Sequence, residues 1–499
     1  MATLISKTTF LEFLMCPKNI WLKIHKPELI DLFGLSPFEL QLAEQGNEVE
    51  EWARKLFPQG VLVTQTGDGA VEETQHLMAA ETPAIFQATF VVDGFIAKND
   101  VLAYDKKNQR WDLYEIKGTN SIKEDGGDRD HIDDLAFQAS VLRRAGISTG
   151  RYFLIHLNKD YIRAGDLEID QLFLVEDMTE KITARLPQVE EQMEAARVHL
   201  TKETEPMVGC DCIYAGRSSH CSTFKYSNPQ VPEYSIHDLA RIGNSKKKLK
   251  IMVERGAVDL RDIPEDVELS DIQKNQVRVH LTQTPIVDVD EIKKELEALT
   301  FPLYFLDYET FAPAIPMFGG YGPYDRIPFQ FSLHILRDPN SEPEHVEYLH
   351  LDRSDPSQPV AELLAKHIQP GGTVIAWNKG FEQGVNKELA VRKSEYAQPL
   401  EQINAQMYDL RDIFHKQHYV HPEFKGKTSI KKVLPPLVPG VRHADLNIKE
   451  GGQASDAWSQ MIAPATSPGE REKIAQDLLT YCGLDTYAMF QIWKHLAEL

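Results

Sequence analysis

Between Pro302 and Phe311 the chain reads Leu303-Tyr304-Phe305-Leu306-Asp307-Tyr308-Glu309-Thr310. This apolar, aromatic run is a buried β-strand by composition, interrupted by two acids. Residues i and i+2 of a strand share a face, so Asp307 and Glu309 point the same way. Two adjacent carboxylates repel, and burying either one unpaired is costly. A divalent cation resolves both problems and makes the pair a hard oxygen-donor site suited to Mg²⁺ or Mn²⁺. The alternative is a strand end that emerges into solvent with both acids wet.

The 499 residues predict two to four domains. A formal net charge of -21 argues against a broad polybasic surface. Nucleic-acid binding would therefore need local basic patches, or metal ions that offset clustered acids. No window reaches the roughly 20 apolar residues of a membrane span. The start of the chain, broken by Lys7, Thr8, Thr9 and Glu12, lacks the pattern of a secretory leader. A cytoplasmic protein without a membrane partner is expected, and its five cysteines are not expected to form structural disulfides.

Residues 1–60 read as helices. Phe10, Phe13, Leu14 and Trp21 recur at helical spacing, and a second amphipathic helix spans Glu39 to Phe57. The period then changes. Ile85 to Val92 and Phe95 to Tyr104 are strands joined by an Asp93-Gly94 turn, and Trp111 to Gly118 is a third strand. A polar stretch, Lys123 to Asp130, precedes a helix from Ile132 to Arg144 and a strand from Arg151 to Leu157. Asp100 lies on the second strand, Glu115 and Lys117 share a face of the third, and Gln138 lies on the helix. Asp and Glu can hold a metal, and Lys can orient a water or offset phosphate charge. The order Asp100, Glu115-Ile116-Lys117, Gln138 resembles the PD-(D/E)XK nucleases of the RecB-like group, and so implies a restriction-endonuclease-like α/β/α domain over residues 1–230.

The cysteines extend that resemblance. Cys16 stands near the start, and Cys210, Cys212 and Cys221 cluster far downstream. One cysteine plus three, bracketing such a core, resembles the iron–sulfur RecB-like nucleases, including the CRISPR-associated ones. The resemblance implies that these four thiolates hold a structural [4Fe–4S] cluster. The C-x-C spacing departs from the commoner C-x-x-C. Zn²⁺ is the alternative, with His220 in place of one thiol, and four unconnected buried thiols are a third reading. Where such nucleases often carry a histidine on an early helix, Gly46-Asn47-Glu48-Val49-Glu50 offers only acids.

Residues 231–298 read as a helical connector. Gly243-Asn244-Ser245 and Lys246-Lys247-Lys248 suit a helix-hairpin-helix-like grip on phosphates, or a solvated spacer. Residues 299–499 form the last domain. After the Asp307/Glu309 strand come strands at Ile327 to Leu336, Glu344 to Leu351 and Thr373 to Trp377, with a helix at Pro359 to Ile368 between the last two. Asn378-Lys379-Gly380-Phe381-Glu382 opens another helix, Met407 to Phe414 carries Asp409 and Asp412, and a last helix runs from Glu470 to Leu499 with Tyr481 and Asp485 one turn apart.

This order resembles the DEDD 3′–5′ exonucleases of the RNase H-like fold. Asp307 and Glu309 match their D-x-E motif, and Asn378, Phe381 and Glu382 match N-x-x-(F/Y)-D, with Glu where Asp is usual. Tyr481 and Asp485 match the Y-x-x-x-D of the tyrosine subclass. Together with Pro302 to His334 and Phe424 to Pro436, the domain order looks like a prokaryotic family that joins a RecB-like nuclease to an RNase H-like exonuclease. That likeness implies two metal ions about 4 Å apart held by Asp307, Glu309, Glu382 and Asp485, with Tyr481 orienting the attacking water. Asp409 is the reserve ligand if Glu382 points away, and otherwise an exposed acid after Tyr408, and Lys427, Lys431 and Lys432 would line the strand path. In the first domain Asp100 and Glu115 would hold the metal, Lys117 would assist the water and Gln138 would orient the site. The expected partner is nucleic acid, DNA foremost, in processing, repair or defence. The rivals are a nucleic-acid scaffold with inactive nuclease folds and a structural subunit of a larger complex.

Overall fold

The computed structural model describes residues 4–29, 37–124, 130–207 and 209–499. It divides into two compact units, Met1–Gln230 with Pro313–Tyr324, and Val231–Ala312 with Asp325–Leu499. The protein is a mixed α/β, multidomain chain. Most of the polar stretch Lys123 to Asp130 lies outside the described residues.

In the first unit a two-residue strand, β1 (Ile5–Ser6), leads straight into helix α1 (Lys7–Met15). The Ser6 hydroxyl accepts from the Thr9 amide at 3.2 Å and caps the helix. Cys16 ends α1, and Pro17 opens α2 (Pro17–His25), where its missing N–H costs nothing. Helix α3 (Pro37–Ala53) precedes β2 (Gly60–Leu62) and α4 (Asp68–Ala79). The antiparallel strands β3 (Ala84–Val92) and β4 (Phe95–Asp105) meet at Asp93 and Gly94, whose φ angles of 52° and 85° make the expected two-residue turn. β5 (Arg110–Lys117) returns antiparallel to β4. Helix α5 (His131–Arg144) then crosses over to β6 (Thr149–Leu157), which is parallel to β5. Short α6 (Ile169–Leu172), β7 (Phe173–Asp177), α7 (Thr179–Leu200) and α8 (Phe224–Ser227) complete the unit. The sheet order is β2-β3-β4-β5-β6-β7, with β1 against the start of β4.

Helix α5 is buried along nearly its whole length. Leu135, Phe137 and Leu142 join the core, and Phe137 stacks on Phe10 of α1 at 5.1 Å. Polar groups on so buried a helix must be bonded, and this is what fixes Gln138.

In the second unit, α9 (Lys246–Glu254), α10 (Asp271–Thr282), β8 (Ile286–Val287) and α11 (Val289–Glu297) precede the main sheet. The residues read as a connector therefore group with the C-terminal strands. Ile292 of α11 is fully buried in their core, and β8 pairs antiparallel with a later strand at Tyr419–Val420. Within the stretch read as a helical connector, residues 236–244 form only two single-turn 3₁₀ segments.

The sheet itself contains β9 (Leu303–Phe311), β10 (Ile327–Leu336), β11 (Glu344–Leu349), β12 (Thr373–Ala376) and β13 (Met407–Asp409), in the order β11-β10-β9-β12-β13. β10 is antiparallel to β9 and β11, and β12 is parallel to β9 and β13. Helix α12 (Ser357–His367) lies between β11 and β12 in sequence, and α13 (Gly380–Arg392) and α14 (Ala397–Ala405) lie between β12 and β13. Short α15 (Asp412–His415) and β14 (Tyr419–Val420), then α16 (Ile430–Leu437), α17 (Gly451–Ile462) and the long α18 (Pro468–Ala497), follow.

Strand β9 is central and buried on both faces. Tyr304, Leu306 and Tyr308 join a core with Val360, Val385 and Leu400 from the helices α12 to α14. Leu303 and Phe305 face the other way, among Phe490 and Trp493 of α18. Alternation puts Asp307 and Glu309 on this second face. The two acids thus sit inside the molecule, not at a wet strand end: Glu309 is buried and Asp307 half-buried.

Candidate metal sites

The second unit gathers its four acids from three elements. Asp307 and Glu309 come from β9, Glu382 from the first turn of α13, and Asp485 from α18. Single oxygens of Asp307 and Glu309 and the Cys482 thiol all lie within 4.8 Å of one another. Cys482, between Tyr481 and Asp485, stands 3.9 Å from Asp307 Oδ2. Glu382 and Asp485 lie outside that tightest set, yet their charges are felt at Asp307. Burial, then Asp485, Glu309 and Glu382, push the Asp307 carboxyl well above its usual range. Burial and Asp485 do the same to Glu309. Burial lifts Glu382 to about 8, and its buried Oε2 has no hydrogen-bond partner among the described residues. An orphaned carboxylate oxygen together with other raised acids is an arrangement that a divalent cation could satisfy.

Other residues position this set. Asn378 adopts a left-handed φ of 78°, which asparagine tolerates. Asp409 holds that turn: its carboxylate accepts from the amides of Asn378, Lys379 and Arg411 at 3.0, 3.0 and 3.1 Å. With both oxygens committed to backbone, Asp409 aims the start of α13, and thus Glu382, where sequence reading held it as a reserve ligand. Tyr481 is buried, and its hydroxyl accepts from Lys431 Nζ at 3.2 Å. Lys431 also lowers the proton affinity of Glu309. His443, which sequence reading missed, places Nε2 2.7 Å from Asp485 Oδ1. The start of α17 lies close to Glu309, since a Cβ at Gly451 would be 3.7 Å from Oε2.

In the first unit the register pairs Val101 with Tyr114, which sets Asp100 beside Glu115. Asp100 Oδ2 accepts from the Ile116 amide at 2.9 Å and Oδ1 from Gln87 at 3.2 Å. Glu115 Oε1 accepts from Lys117 at 2.8 Å and from Lys7 at 2.6 Å, and Oε2 accepts from Gln138 at 2.6 Å. Gln138 also donates to Asp134 Oδ1 at 2.9 Å and is held in turn by Asn99 at 2.8 Å. Lys117 donates to Asp134 as well. All four expected residues, Asp100, Glu115, Lys117 and Gln138, converge. Burial and Glu115 raise the Asp100 carboxyl well above its usual range. Burial would raise Glu115 too, but Lys117 and Lys7 overcome it and hold that carboxyl far below. Lys7 and Asp134 went unread in the sequence. Helical spacing could have found Asp134, one turn before Gln138, whereas nothing local points to Lys7.

The thiols of Cys16, Cys210, Cys212 and Cys221 also come together, all within 4.8 Å of one another. Cys210 Sγ is 3.4 Å from Cys16 Sγ and 3.3 Å from Cys221 Sγ. The cluster could bind a metal. Around a single tetrahedral ion with Zn–S near 2.3 Å, geometry spaces the sulfurs at about 3.8 Å. A cluster that gives each thiolate its own iron spaces them more widely. His220 is not in the set; its Nε2 lies 3.1 Å from the Ala215 carbonyl and its ring stacks on Phe224. No described helix is long and apolar enough to cross a membrane.

Two comparisons with known proteins give a likeness. A family described as a domain of unknown function, DUF2779, matches residues 304–429, from β9 past Asp409. The chain is also similar to the uncharacterized protein UU173 of Ureaplasma parvum serovar 3, with 30% identity over 141 residues. The match covers 25% of this chain and 20% of that protein, so the chain spans about a fifth of that relative's length.

Proposed function

We propose that this protein is a metal-dependent nuclease, a phosphodiester hydrolase whose main site is the acid cluster of the second unit. The observation that carries the reading is the gathering of Asp307, Glu309, Glu382 and Asp485 about one buried locus, with raised proton affinities at Asp307, Glu309 and Glu382 and an orphaned Glu382 oxygen. The strand order β11-β10-β9-β12-β13, with β10 alone reversed, supports an RNase H-like assignment, and motif order supports DEDD 3′–5′ exonuclease chemistry. Bound Mg²⁺ or Mn²⁺ would supply charge neutralisation and a water acidified toward neutral pH. Asp307, Glu309, Glu382 and Asp485 would hold these ions. Tyr481, steadied by Lys431, would orient the attacking water, and His443 would fix the rotamer of Asp485.

The first unit is proposed as a RecB-like PD-(D/E)XK site. The β3-β4-β5 meander, the α5 crossover and the parallel β6 support it, with Asp100 and Glu115 as ligands, Lys117 beside the water and Gln138 as orienter. For the thiols the resemblance favours a structural [4Fe–4S] cluster. The short sulfur separations favour a single Zn²⁺ instead. Visible absorbance and metal analysis of protein purified without air separate the two.

Nucleic acid, with DNA foremost, is the proposed substrate. The test is incubation of the full chain with 5′- and 3′-labelled DNA and RNA, with Mg²⁺, Mn²⁺ or chelator. Metal-dependent shortening supports the reading, and intact substrate under every condition favours the scaffold alternative.

A further inference from the structure

In the first unit every carboxylate oxygen of the site already accepts a hydrogen bond or ion pair. Glu115 Oε1 takes two ammonium groups and Oε2 takes Gln138; Asp134 takes Gln138, Lys117 and, at 3.4 Å, Lys7; Asp100 takes Gln87 and a backbone amide. A divalent cation needs oxygens with lone pairs to spare. Glu115 Oε1, with both lone pairs taken by Lys7 and Lys117, has none to spare until one of them leaves.

The geometry singles out the group that leaves. Gln138 is wholly buried on α5 and pinned by Asn99. Lys117 lies on β5 itself, with its side chain 16% exposed. Lys7 is the first residue of α1, and its side chain is 30% exposed at the mouth of the site. A four-carbon stem ending in a compact ammonium can swing outward without disturbing either the helix or the sheet. Three carboxylates here, Asp100, Glu115 and Asp134, face two ammonium groups, Lys7 and Lys117. In the second unit's cluster, among the described residues, the raised acids are opposed by Lys431 at Glu309 and by Arg326 at Glu382, and burial still outweighs both.

We propose that Lys7 is an internal competitor for the metal of the first unit: its ammonium occupies Glu115 and Asp134 when metal is absent, and the site loads a divalent cation only when this side chain swings out. The inference rests on the RecB-like reading of this site and adds its regulation. It makes the first unit self-neutralised and weakly metal-binding at rest, so occupancy of that site is set by the N-terminal helix.

The test uses the full chain with the second unit's site silenced by Asp307→Asn and Asp485→Asn, and titrates Mn²⁺, followed by the loss of its free-ion paramagnetic resonance signal. Lys7→Met and Lys7→Gln are both made, so that one folded variant suffices. Removing the competing cation should tighten Mn²⁺ binding roughly tenfold or more. Adding Asp100→Asn to the Lys7 variant should abolish the gain. Unchanged or weaker binding in the folded Lys7 variants overturns the competition while leaving the metal site standing. Absence of Mn²⁺ binding in every form, Lys7 variants included, overturns the RecB-like metal reading itself.

Discussion

His443 Nε2 lies 2.7 Å from Asp485 Oδ1, and both side chains are buried. The histidine arrives from the segment between α16 and α17, the aspartate from the middle of α18. The contact fixes one carboxylate of the acid cluster with a group that the Y-x-x-x-D spacing does not contain. His443→Ala leaves Asp485 without that partner among like charges. The expected result is a loss of about 1–3 kcal/mol in metal-free stability, and, from the loosened ligand, a roughly 10- to 100-fold weaker response to metal. Urea melts with and without Mg²⁺ check the first, and Mn²⁺ titration the second.

Asp409 binds three backbone amides around the strained Asn378 turn. Asp409→Ala should cost about 2 kcal/mol, because charge-assisted bonds to amides are lost and those amides are left unmet. It should also displace the start of α13 and with it Glu382. Asp409→Asn, which keeps an acceptor, should recover part of the stability. Denaturant midpoints at constant m-value decide this.

The raised carboxyls give a pH dependence with a definite sign. Glu382 moves from 4.5 unfolded to about 8 folded, so the folded chain holds a proton that the unfolded chain releases. Its contribution to stability is fully present below the unfolded value and is lost as pH rises through the folded one. Asp307 and Glu309 act in the same direction. Metal-free protein should therefore melt progressively lower between pH 5 and 8. Mg²⁺ should restore more stability at the alkaline end, since binding displaces those protons. Glu382→Gln should flatten the metal-free profile. Thermal melts across that range, with chelator and with Mg²⁺, provide the check.

The four thiols tie the α1–α2 junction to the segment around residue 215. Nearby, the Trp21 indole donates to the Lys202 carbonyl at 2.9 Å, and Lys18 pairs with Glu205 at 2.5 Å. Cys210→Ser, which removes the thiol common to both short contacts, should abolish bound metal and lower the melting temperature by about 5 °C or more. Elemental analysis and calorimetry of the same preparations read both effects.

Local pattern carried much of this architecture. The Asp93-Gly94 turn, the strands around it and the i, i+2 placement of Asp307 and Glu309 follow from period and turn chemistry alone. So does the i, i+4 pair of Tyr481 and Asp485 on α18. What escaped was set by tertiary contact. Lys7 reaches Glu115 across 108 positions, and His443 reaches Asp485 across 42. Neither leaves a local mark. Asp409 looked like a spare ligand because its capping of the Asn378 turn needs β12 and β13 to lie side by side. Residues 231–298 looked like a spacer because the β8–β14 pairing draws its partner from more than a hundred residues away, and the core that takes in Ile292 is completed by α18.

The proposed activity is hydrolysis of phosphodiester bonds by the Asp307 cluster. Its most direct test compares the intact protein, Asp307→Ala and Lys117→Ala on end-labelled single- and double-stranded DNA and RNA with Mn²⁺. The expected result is metal-dependent shortening from the 3′ end that survives Lys117→Ala and disappears in a folded Asp307→Ala protein. Shortening that persists in Asp307→Ala, or its absence from the intact protein on every substrate, would contradict it.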